Sequence, residues 1–185
     1  MKLRFVSAVL FAVALVPSLA RAQMPANGLA VEARLGGGIA VAGVGTIFVA
    51  PSLTVGGRLI DRLQLGVGFG LFRISTPGGG GAGGTNQTTF TIAPQITVDI
   101  LKAHDNKAAL YGKAALPMGA LVTNPRNLFV LGYDFAIGAR YCPHPNFAAG
   151  VEGGITGVFV DPNGPNGSGV TSVYGAVVGT FYWGK

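Results

Sequence analysis

Cysteine, histidine and charge are all scarce in this chain of 185 residues, and each scarcity removes a class of protein. The single cysteine, Cys142, excludes an intramolecular disulfide, so an exported chain of this size must be held by its own hydrogen bonds and surroundings. His104 and His144 are isolated from each other, and with one cysteine they make no metal-ligand set. Charged residues are only 11% of the chain, whereas a water-soluble surface carries roughly 25–35%. Beyond the N-terminal segment no apolar run approaches the roughly 20 residues of a membrane helix. Lysine and arginine are scattered singly, which excludes the footprint of a nucleic-acid partner.

The first residues have a definite organisation. Lys2 and Arg4 precede an apolar run from Phe5 to Val16, followed by Pro17 and the triplet Ala20, Arg21, Ala22. These are the three regions of a secretory signal peptide, with cleavage expected before Gln23. Residues 1–22 are therefore expected to be removed and residues 23–185 to form one domain. Of the 13 basic residues, Lys2, Arg4 and Arg21 leave with the signal; 10 then face 7 acidic residues, and the net charge falls from +6 to +3.

What remains is rich in glycine, with 31 in the chain, and apolar in alternation. Eight alternating segments run from Leu29 to Val41, Val49 to Leu59, Leu63 to Ile74, Thr88 to Leu101, Ala108 to Leu121, Leu128 to Cys142, Phe147 to Val160 and Val170 to Trp183. The clearest interleaves Leu63, Leu65, Val67, Phe69 and Leu71 with Gln64, Gly66, Gly68 and Gly70. A period of two places the two sets on opposite faces of a strand. Weakly alternating segments of about 10 residues, even in number, are the signature of a transmembrane β-barrel.

The connections alternate as well. Ile60-Asp61-Arg62, Lys102 to Lys107 and Pro143 to Asn146 are tight, whereas Ala42 to Phe48, Ser75 to Gln87, Val122 to Asn127 and Asp161 to Gly169 are looser. Short periplasmic turns and longer external loops have this pattern. Val49-Ala50-Pro51-Ser52-Leu53-Thr54-Val55 is echoed 43 residues later by Ile92-Ala93-Pro94-Gln95-Ile96-Thr97-Val98. A proline cannot donate to a ladder, so Pro51 and Pro94 are both expected at rims or bulges.

In a closed barrel one phase of the alternation faces outward, and here it is Leu, Val, Ile, Phe, Ala and Gly. The other phase carries Glu32, Arg34, Arg58, Asp99, Lys113, Asp134, Arg140 and Glu152, four acidic and four basic. An unpaired charge away from water is expensive, so this balance predicts an interior network of paired charges. Eight strands leave room for little more than side chains. The reverse arrangement, a soluble lipocalin-like carrier with charges outside and an apolar cavity, would leave too few charges for a watery exterior. Phe48, Phe72, Phe90, Phe129 and Phe159 fall near one set of strand ends, and Tyr141, Phe147, Phe181, Tyr182 and Trp183 near the other, as interfacial girdles would.

With this strand count, this loop asymmetry, an inward Glu32, Arg34, Arg58, Lys113, Asp134, Arg140 and Glu152, and an aromatic end at Phe181-Tyr182-Trp183, the mature chain resembles the small eight-stranded outer-membrane barrels, the OmpA transmembrane domain and the OmpX group. The resemblance implies an all-β, antiparallel, up-and-down barrel in the bacterial outer membrane. It implies membrane lipid as surroundings and the barrel-assembly machinery as a partner during biogenesis. Gly184 and Lys185 follow the last aromatic, a departure from the usual terminal strand.

No residue set points to catalysis. His104 and His144 fall in the tight, periplasmic turns, far from any site facing the external leaflet, and the glycine run from Gly78 to Gly84 lacks the Lys-Ser/Thr of a phosphate loop. No cofactor is expected, and the loops name no surface ligand. A structural or surface-interaction role therefore comes first, ahead of a narrow pore, a lipid-active enzyme and a soluble carrier. In that reading buried ion pairs hold a rigid scaffold that displays the Ser75 to Gln87 loop and its neighbours.

Overall fold

The computed structural model describes residues 28–42, 46–76, 85–122, 127–161 and 168–183. The expected signal segment and the cores of the four expected external loops lie outside the described residues. Nine strands follow in chain order: β1 (Gly28–Ala42), β2 (Thr46–Ile60), β3 (Leu63–Thr76), β4 (Thr85–Lys102), β5 (Ala108–Ala115), β6 (Met118–Val122), β7 (Asn127–His144), β8 (Phe147–Val160) and β9 (Ser168–Trp183). Every pairing is antiparallel, consecutive strands pair except β5 and β6, which each pair with β4 and β7, and β9 returns to β1 from Leu29↔Trp183 to Ala42↔Thr171. Because β5 and β6 both lie between β4 and β7, they are two halves of one stave, and the ring has eight members.

That division corrects the expectation of one uninterrupted segment from Ala108 to Leu121, and its cause is proline. Leu116 N–H donates to Pro94 O at 3.0 Å, and Gly132 N–H donates to Pro117 O at 2.7 Å. In a strand a residue's nitrogen and carbonyl point to the same side, so each proline places a missing donor where the return bond should be. Pro94 is therefore not at a rim: it sits within β4, opposite Val67 and without a slip in that register. Pro51 does fall at an irregularity, between Val49 and Ser52 of the β2–β3 ladder.

The strands also run further than the alternation suggested. Ser75↔Asn86 and Thr76↔Thr85 are ladder pairs, which takes both ends of the expected Ser75 to Gln87 loop into β3 and β4. At the opposite end Ile60↔Leu63 and His144↔Phe147 close two tight turns. In the third, Asn106 takes a left-handed φ of 55°, which asparagine tolerates, and its N–H bonds Ala103 O.

Leu35, Ile39, Ile92, Ile137, Val151 and Val177 lie on the exposed outer face, whereas alternate residues are buried. The reversed arrangement of a soluble carrier, with charges outside, does not occur. Among the girdle aromatics, Tyr141, Phe147, Phe181 and Trp183 are exposed at one end, and Phe90, Phe129 and Phe159 are exposed toward the other. Tyr182 is a correction. It shares the phase of Thr180 and Val178 and points inward, 1% exposed. The side chains of Phe48 and Phe72 lie outside the described residues.

Candidate functional site

All eight expected interior charges, Glu32, Arg34, Arg58, Asp99, Lys113, Asp134, Arg140 and Glu152, are buried in the lumen. The strand alternation that projects leucine and isoleucine outward sends these inward, and the ring brings them together from six strands. They form two clusters. In the one nearer the loop end, Arg34 Nη1 donates to Asp134 Oδ2 at 2.8 Å and Glu152 Oε1 at 3.0 Å, and Lys113 Nζ donates to Glu152 Oε1 at 2.5 Å. Tyr111 OH donates to Glu152 Oε2 at 3.0 Å and Tyr174 OH to Asp134 Oδ1 at 2.6 Å. Both carboxylates are thus engaged by cations and phenols, the condition under which buried charge is tolerated.

A local feature makes the room. Gly138 pairs with Tyr111 across the β5–β7 ladder, and a Cβ on Gly138 would lie 2.4 Å from Tyr111 Cζ. The tyrosine ring lies over the glycine and carries its hydroxyl to Glu152.

The second cluster lies toward the tight-turn end. Asp99 accepts from Arg58 Nη2 at 2.5 Å and from Arg140 Nη2, while Arg140 Nη1 donates to Tyr182 OH at 3.1 Å. Lys102, expected in a turn, is instead the last residue of β4; its Nζ bonds Asp61 Oδ1 at 2.5 Å and stands 3.9 Å from Asp99 Oδ2. Lys102 holds the exposed Asp61 carboxyl below the usual carboxylate range, chiefly through that hydrogen bond. Guanidinium–ring stacking adds to both clusters: Arg34 lies 5.4 Å from the Tyr174 centroid and Arg140 5.1 Å from that of Tyr111.

Glu32 is the exception. It is 4% exposed on β1, two residues from Arg34, yet it makes no ion pair within 4.0 Å among the described residues. Tyr111, Tyr174, Tyr182 and Lys102 are interior residues that the charge pattern alone did not single out. Phase was the signal for the three tyrosines, each an even number of residues from a buried residue of its strand; Lys102 lies three residues from Asp99, past the register shift between Asp99 and Leu101, and had no such signal.

The arrangement cross-links the lumen, and the carboxylates of Asp99, Asp134 and Glu152 are engaged by cations. His104 and His144 are exposed in turns, and among the described residues no group of three His, Cys, Asp or Glu could hold a metal ion.

Comparison with solved structures gives the same architecture. Neisserial surface protein A aligns over 86% of this chain and 98% of its own with a TM-score of 0.53 and 15% identity. The chain shares the fold of a small eight-stranded β-barrel. The N-terminal β-barrel domain of Pseudomonas aeruginosa OprF aligns over 84% and 99% with a TM-score of 0.45 and 11% identity. No protein-family model and no curated protein matches the sequence. At these identities the likeness is one of fold.

Proposed function

We propose that the chain is a bacterial outer-membrane protein with a structural or surface-interaction role, a closed scaffold that spans the membrane and presents its loops outside. The observation that carries this reading is its reversed polarity. Ile137 is 62% exposed and Val177 59% exposed in the middle of their strands, whereas the eight interior charges are at most 9% exposed. In water that would expose a large contiguous apolar belt, which monomeric soluble proteins rarely do; in hydrocarbon it is the stable arrangement. Strands of 14 to 18 residues in the uninterrupted staves exceed the roughly 9–11 that a tilted strand needs to cross.

The same reading makes lipid the partner of the outer face and assembly factors the partner of the nascent barrel. Catalysis has no part in it. The charges that pair across the lumen support a scaffold over a narrow pore. The test is fractionation of cells, electrophoresis of the outer-membrane fraction with and without boiling, and planar-bilayer recording. We expect outer-membrane recovery, a heat-dependent mobility shift and no unitary conductance. Stepwise conductance would favour the pore, and recovery as a soluble periplasmic protein would sink the membrane reading.

A further inference from the structure

An external groove of about 830 Å³ crosses five staves of the wall, within the roughly 300–1,000 Å³ usual for small-molecule sites. Its floor is one continuous row of the ladder, Met118, Ile92, Phe69, Leu53 and Ala33, taken in turn from β6, β4, β3, β2 and β1. Leu71 and Phe90, paired across β3 and β4, wall it on the loop side.

The sequence makes the depression. One residue further along each strand, on the lumen side, the row reads Gly119, Thr91, Gly70 and Ser52, with nothing larger than threonine until Arg34. A wall with so little side chain behind it is drawn inward, and a Cβ on Gly119 would run into Phe90 O of the neighbouring strand. The β1–β2 ladder ends on this same row, at Arg34↔Ser52, with Pro51 and a register shift next on β2.

Depth follows from the tilt of the strands. Met118 is four residues from Val122, where β6 ends beside a loop, whereas Ala33 is nine residues from Ala42, where β1 ends. Four strand spacings of about 4.8 Å give a row about 19 Å long, and in strands tilted by about 45° that row descends about 13 Å. One leaflet of a hydrocarbon core about 30 Å thick is about 15 Å deep. The groove therefore runs down from the loop-end interface and is one leaflet deep.

Its chemistry is hydrocarbon alone. The polar groups behind it are engaged on the lumen side, Arg34 by Asp134, Glu152 and Ser52, and Thr91 by Gly70 O. Between lipid chains and apolar side chains no hydrophobic force acts, so packing selects the occupant. An empty groove leaves its lining without partner atoms, and a chain lying in it gains contacts along both walls that it lacks on a convex surface. A second barrel would span both leaflets, whereas a groove one leaflet deep fits a chain anchored at one surface.

We propose that this groove is a binding site for one acyl chain of an outer-leaflet lipid, selected by chain length and packing and indifferent to the head group. The site rests on the reading that the outer face meets lipid.

As probes, phosphatidylglycerol and phosphatidylcholine, each with two palmitoyl or two octanoyl chains, are reconstituted with the mature chain. The barrel is then taken into an uncharged detergent and retained lipid is counted by native mass spectrometry. Ala33→Phe and Ala120→Phe fill the two ends of the groove, and Val177→Phe puts the same ring on the exposed face of β9, away from it. Each variant is shown folded by its heat-dependent mobility shift. We expect one dipalmitoyl lipid per wild-type barrel with either head, about tenfold weaker retention of the dioctanoyl lipids, about tenfold weaker retention in Ala33→Phe and Ala120→Phe, and no change in Val177→Phe. Heat-shifting wild type that retains no lipid, equal retention in all three variants, or retention that follows the head instead of the chain would overturn the site. A chain with no heat shift and periplasmic recovery would overturn the membrane reading.

Discussion

Replacing Glu152 by leucine takes a carboxylate from two cations and strands one of them. Glu152 receives Arg34 at 3.0 Å, Lys113 at 2.5 Å and Tyr111 at 3.0 Å, and it is the carboxylate with which Lys113 forms its ion pair among the described residues. Arg34 retains Asp134, whereas Lys113, 5% exposed, would keep a buried charge with no counter-ion. Removing one partner of a buried pair costs about 3–5 kcal/mol, most of it the charge left behind. With a urea slope of about 2 kcal/mol per molar, the unfolding midpoint should fall by roughly 2 M. The double variant Glu152→Leu/Lys113→Met removes both charges and should recover more than half of the loss. Trp183 is the only tryptophan and stacks at 4.6 Å on Phe181 at a strand end, so its fluorescence in lipid vesicles reports unfolding directly. An unchanged midpoint in Glu152→Leu, or a double variant no better than the single, would refute the network as the source of stability.

Gly138→Ala should cost about 1–3 kcal/mol by driving the Tyr111 ring off Glu152, and trimming the ring in Gly138→Ala/Tyr111→Leu should relieve part of it, read by the same urea titration. Ile137→Arg, on the outer face at mid-strand, should lose about 2–4 kcal/mol in vesicles, and an unaffected midpoint would place that face in water. Asp61 has a depressed folded-state pKa, so its bond to Lys102 stabilises the barrel above the unfolded value of about 3.9 and that contribution fades as pH falls through the folded value. A carboxyl titration followed by NMR should show the depression in wild type and its loss in Lys102→Met. Cys142, fully buried, should resist maleimide in the folded barrel and react after boiling; rapid labelling of the native protein would mean an open wall at that strand end.

The barrel was legible because period two is a local property. Leu63 to Leu71 against Gln64 to Gly70 assigns its own faces, and the phase of Glu152 or Arg140 follows from the same arithmetic. Pairing was not legible, since which cation meets Asp99 depends on the stagger of strands as distant as β2 and β7. Tyr182 was misplaced because aromatic residues at a strand end suit a girdle equally well; its partner, Arg140, comes from 42 residues away. The break at Pro117 needed the position of Pro94 two strands back, and the end of the β1–β2 ladder needed the path of β2 past Pro51. Sequence periodicity speaks for one strand at a time, whereas prolines and charges act between strands.

The ladder between β1 and β9 joins residues 129 to 154 positions apart, from Ala42↔Thr171 to Leu29↔Trp183, and it is among the longest in the molecule. Until the segment from Ser168 to Trp183 arrives, β1 and β8 each present a bare edge, an open template for any other strand. Closing such a loop is slow, because distant contacts repay their entropy only at the end. A growing chain therefore cannot complete the ring piecemeal. It must be kept from its own copies until the last strand is delivered, and a chain cut short before Ser168 would be a seed for aggregation instead of a smaller barrel.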